Sequence, residues 1–150
     1  MVDYHFVTEQ LAVGGSIGTA ENMEELARAG ITHIVNMQFE FDDRLISDGT
    51  GIHILWNGCD DDFLPKPSEL FWNGVLFSLE ALEQPEAKIL FHCSAGVHRS
   101  PLMLLAFLLL QGVQTGPAGG GGFWPSNTIV ADYAGPHDDY GYSVAPAGAV

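Results

Sequence analysis

The chain has 150 residues, 47% hydrophobic and 16% charged, which suits one folded domain burying roughly 68–70% of its unfolded surface and excludes a disordered polymer. Nineteen acidic residues against five basic ones leave a formal charge of -14, which argues against nucleic acid and anionic membranes as partners, because both are met by clustered Lys and Arg. Two cysteines make no disulfide framework, the start MVDYHFVTEQ lacks a signal-peptide pattern, and the longest apolar run, residues 102–110, is far short of the roughly 20 residues a span needs, so a soluble cytoplasmic protein is expected.

In chain order, residues 5–7 and 11–13 read as short strands. Residues 20–29 read as a helix, with Thr19 as N-cap and Gly30 just past its end. Residues 31–37 (ITHIVNM) and 52–56 (IHILW) are apolar and β-branched, as strands require. Residues 68–84 place apolar side chains at 71, 75, 79 and 82, a helical period, with Ser68 as the expected cap after Pro67. Residues 88–91 (KILF) predict a buried strand, and residues 101–110 an apolar helix with Pro101 in its first turn. Trp56, Phe71 and Trp72 are expected in the core. Alternating strands and helices predict an α/β fold: a single domain with a central, mostly parallel sheet flanked by helices. From residue 112 onward there are nine glycines, four prolines and no Lys or Arg. That composition predicts a domain over residues 1–111 and a flexible, irregular tail over 112–150.

The chemistry concentrates in residues 92–100, HCSAGVHRS, between a predicted strand and a predicted helix. Ligands of open α/β folds gather at the carboxyl ends of strands, and a helix N-terminus favours an anion. Gly96 permits backbone conformations closed to other residues. Arg99 offers a planar fork for two phosphate oxygens. Cys93 stands where the helix field and the arginine favour a thiolate. Such a loop reads as a phosphate cradle. His92, Cys93, His98 and Cys59 have no paired-ligand spacing, so no metal site is expected.

Cys-x5-Arg-Ser matches the signature loop of the protein tyrosine phosphatase superfamily, and HCSAGVHRSP resembles its dual-specificity branch. LAVGG at 11–15 and GITHIVNM at 30–37 extend the resemblance over roughly residues 5 to 111. The resemblance implies a phosphatase without cofactor, in which Cys93 attacks phosphorus and a phosphocysteine is then hydrolysed. It implies that Arg99 and the loop residues Ser94, Ala95, Gly96, Val97 and His98 hold the phosphate. It assigns Ser100 to stabilising the thiolate and His92 to positioning the loop. His98 is expected to contribute its backbone N–H.

The family draws its leaving-group proton from an aspartate some thirty residues before the cysteine, where Asp60, Asp61 and Asp62 stand. The Asp-Asp-x-x-Pro pattern points to Asp62, and counting back from Cys93 points to Asp61. Cys59 reads as a plain buried thiol, with an oxidative disulfide to Cys93 as the alternative. No lysine lies within the loop, which with the acidic charge argues against inositol phospholipids. Phosphotyrosine or phosphoserine/threonine on protein is the expected substrate, with a small phosphorylated metabolite as the alternative. Relatives carry further helices after the signature helix, and residues 112–150 do not match them. A phosphate-binding module that has lost turnover is therefore the competing reading.

Overall fold

The structure, a computed structural model, describes residues 1–115. Strand β1 (Tyr4–Phe6) pairs antiparallel with β2 (Leu11–Gly14), and the other strand pairs are parallel. Adding β3 (His33–Gln38), β4 (His53–Cys59) and β5 (Ile89–His92) gives the sheet order β1-β2-β5-β3-β4. The last strand in sequence is thus the middle strand in space.

Period-2 alternation explains the layers. Leu11, Val13, Val35, Met37, Ile89 and Phe91 point to one side, against Phe71 and Val75 of helix α2 (Ser68–Ala81) and Met103 and Phe107 of helix α3 (Arg99–Thr115). Their neighbours Ala12, Ile34 and Leu90 point to the other side, against Met23 and Leu26 of helix α1 (Ala20–Arg28). Buried on both faces, β5 is apolar throughout until His92, as a central parallel strand requires. Thr19 caps α1, its Oγ1 accepting from Asn22 N at 3.2 Å, and Gly30 beyond the helix end adopts φ +96°.

Three expectations are corrected. Ser68 does not cap α2: Pro67 holds that position without a side-chain bond, and Ser68 Oγ is buried with no partner among the described residues. Trp56 is not core. It is 40% exposed, its indole N–H donates to the Gln38 carbonyl, and the Arg44 guanidinium lies 5.4 Å above its ring. The signature helix runs from Arg99 to Thr115 rather than over the expected residues 101–110. Its early start follows from Leu102 N bonding His98 O at 3.0 Å, which makes the end of the loop the first turn. The remainder of the expected tail, residues 116–150, lies outside the described residues. No helix among the described residues is long and apolar enough to cross a membrane.

Candidate active site

The sheet order creates the site. α1 crosses on one face from β2 to β3 and α2 crosses on the other from β4 to β5. The chain leaving β5 therefore emerges between the ends of β2 and β3, with His92 in register with Gly14 and Asn36. Crevices of this kind at strand carboxyl ends are where α/β folds bind ligands.

The loop is seated on β2. Cys93 N bonds Gly14 O at 3.2 Å, Ser16 N bonds Ser94 O at 2.9 Å, and Ser100 Oγ lies within hydrogen-bond reach of Gly14 O, 3.3 Å away. Gly96 has φ +77°, and a Cβ there would lie 2.8 Å from the Gly14 carbonyl carbon. Only glycine fits both the angle and the approach. The loop curls around the sulfur: Gly96 N donates to Cys93 Sγ at 3.3 Å, and Ser100 Oγ lies 3.3 Å from it. Burial pushes the Cys93 thiol up, but the Ser100 hydroxyl and the amides of Ser100, Gly96 and His98 outweigh it, leaving the thiol below its ordinary value.

Arg99 is 3% exposed and sits between β3 and β4. Nη1 and Nη2 grip the Glu40 carboxylate at 2.9 and 2.8 Å, and Nη1 also donates to the Cys59 carbonyl at 2.9 Å. Nε is buried with no hydrogen-bond partner among the described residues, and Asp61 Oδ2 stands 4.0 Å away. The fork thus holds one carboxylate edge-on while a further N–H remains unmet. Hydrogen bonds with Arg99 draw the Glu40 carboxyl down to about 2, and the same bonds raise Arg99.

The two candidate aspartates face different partners. Asp61 Oδ1 is 2.7 Å from His98 Nδ1, inside the loop region. Asp62 instead pairs closely with the buried Lys66 ammonium and accepts from Leu64 N at 3.1 Å. The lysine hydrogen bond holds the Asp62 carboxyl below its usual range. Phe63, with φ +59°, lays its ring 4.0 Å from the His98 ring, so the acidic turn is folded onto the loop through His98. The His98 side chain carries this contact. Cys59 and Cys93 are both free thiols, and burial pushes Cys59 up.

Two residues escaped the sequence reading. Glu40 and Asp43 lie in FEFDD, an acidic stretch that reads as a solvated turn. Glu40 reaches Arg99, and Asp43 is fully buried against His92. Their position just past the carboxyl end of a parallel strand was the available signal.

A fold of this topology, with a cysteine and a buried arginine sharing one strand-to-helix loop, defines the class as an α/β domain. No protein-family model matches the chain. Rat dual specificity protein phosphatase 26 is 37% identical over 98 residues, covering 64% of this chain and 46% of that protein. Mouse dual specificity protein phosphatase 13B is 31% identical over 100 residues, covering 64% and 50%. The active form of Tk-PTP superposes with a TM-score of 0.62 at 19% identity, covering 71% of this chain and 72% of that one. Over these residues the chain is similar to dual specificity protein phosphatases, and it shares its fold with Tk-PTP. It spans about half the length of these curated relatives.

Proposed function

We propose that the domain hydrolyses phosphate monoesters through Cys93. The observation that carries this reading is a thiol that accepts from Gly96 N and lies 3.3 Å from Ser100 Oγ, in one loop with a buried arginine whose Nε has no hydrogen-bond partner among the described residues. In the first step the Cys93 thiolate attacks phosphorus. The P–S bond forms as the P–O bond to the leaving group breaks, and the leaving oxygen takes a proton from an aspartic acid of the turn at residues 60–62, which becomes a carboxylate. In the second, water attacks phosphorus, loses a proton to the same carboxylate, and the P–S bond breaks to return the thiolate. Arg99 and the loop residues Ser94 to Arg99 hold the equatorial oxygens, and Ser100 steadies the departing thiolate.

Geometry favours Asp61 as proton donor. It faces the loop, whereas Asp62 is paired with the Lys66 ammonium, which holds its carboxyl below the usual range. Phosphorylated protein is the substrate class best matched by a loop without lysine on an acidic chain. The test is hydrolysis of an aryl phosphate by the full chain, with Cys93→Ser, Asp61→Asn and Asp62→Asn beside it. The serine variant is expected to lose turnover. Asp61→Asn is expected to lose about 100-fold or more in kcat for substrates with poor leaving groups, and Asp62→Asn much less. Turnover that survives Cys93→Ser refutes the mechanism. Phosphate binding by wild type without turnover supports the binding-module alternative.

A further inference from the structure

Among the described residues, the mechanism leaves the fully buried Asp43 unused. Asp43 opens the 3-10 helix Asp43–Ile46, and both it and His92 are 0% exposed. Asp43 Oδ2 pairs closely with His92 Nε2. Its Oδ1 is buried without a partner among the described residues. The opposite ring nitrogen, Nδ1, lies 3.3 Å from the Cys93 carbonyl oxygen. A neutral imidazole carries one N–H and one lone pair. This ring lies between a carboxylate and a carbonyl, two acceptors, so both nitrogens need a hydrogen. Ionised carboxylates at full burial are retained only against an opposite charge, which the same double protonation supplies.

The backbone around Asp43 is arranged to deliver it. Asn36 precedes the turn, its Nδ2 donating to Phe41 O at 2.7 Å and its Oδ1 accepting from Gln38 N at 2.8 Å. Asp42 caps the short helix by accepting from Arg44 N at 3.0 Å. One aspartate of the pair therefore closes the turn at the surface while its neighbour points inward. Nearby charges are already committed: Glu40 to Arg99 and Asp61 to His98. Asp43 is bonded to the imidazole, and Cys93 adjoins it along the chain.

We propose that Asp43 is a positioning residue for the nucleophile, holding His92 as an imidazolium whose Nδ1–H anchors the Cys93 carbonyl and whose charge favours the Cys93 thiolate. The proposal rests on the reading of Cys93 as nucleophile, but its test needs only the thiol and not turnover.

The full chain, labelled with nitrogen-15 in histidine, reports the His92 ring directly. Both ring nitrogens are expected to carry protons at neutral pH. A ring with one bare nitrogen overturns the proposal. Alkylation of Cys93 by iodoacetamide, read by mass spectrometry of its own peptide, gives the second measurement. Asp43→Asn is expected to move the rate profile up by about one pH unit, so that alkylation near pH 6 slows about tenfold. Asp43→Glu is expected to restore most of it. A folded Asp43→Asn protein with the wild-type profile also overturns the proposal, and if neither variant folds the wild-type ring spectrum decides alone. Normal alkylation of wild type with no hydrolysis of aryl phosphate instead refutes the phosphatase reading and leaves this one standing.

Discussion

Replacing Glu40 by Gln keeps the shape of the side chain and removes its charge from the Arg99 fork. The Glu40 carboxyl titrates at about 2 in the folded chain against an ordinary 4.5. At about 1.4 kcal/mol per unit, that difference sets a ceiling of about 3 kcal/mol on its contribution. Glu40 is 48% exposed, so solvent screens the pair and about 1–2 kcal/mol is the expected loss at neutral pH. For a chain of this length that corresponds to a fall of about 3–8 °C in Tm. Because the folded value lies below the unfolded one, the contribution is complete above pH 4.5 and drains as pH falls toward about 2. Near pH 3 less than half of the difference between wild type and Glu40→Gln remains. Thermal unfolding of both proteins across this range measures it. A Tm difference of equal size at neutral pH and near pH 3 refutes the assignment of the stability to the ionised pair.

Two further substitutions probe the scaffold. Gly96→Ala forces a Cβ to within 2.8 Å of the Gly14 carbonyl carbon at φ +77°. The loop has to lift off β2, and phosphate-ester turnover is expected to fall by about 100-fold, since a displacement of about 1 Å is enough for that. Unchanged steady-state kinetics in this variant counts against the close seat on Gly14. Thr19→Ala removes the N-cap bond to Asn22 N and is expected to cost about 1 kcal/mol in chemical denaturation.

Much of the architecture was legible in advance because it is local. Short apolar runs marked β2, β3 and β5, and Thr19 with Gly30 bounded α1, since each signal sits within a few residues of what it specifies. Local signals failed where a distant partner decides. Trp56 belongs to a strand, yet it lies at the sheet edge and is covered by Arg44 rather than by the core. Ser68 has the chemistry of a cap, but the helix begins one residue early and turns its hydroxyl inward.

The same division runs through the site. Cys93, Gly96, Arg99 and Ser100 lie within eight consecutive residues, so their order along the chain determines the loop, and the sequence by itself identified it. Glu40, Asp43 and Asp61 approach that loop only because β5 inserts between β2 and β3, bringing segments tens of residues apart to one edge of the sheet. Which acid meets Arg99, which is buried beneath His92 and which faces the loop through His98 are decided by that placement. A carboxylate's role depends on what stands within a few ångströms of it, and for these three only the tertiary structure sets that distance.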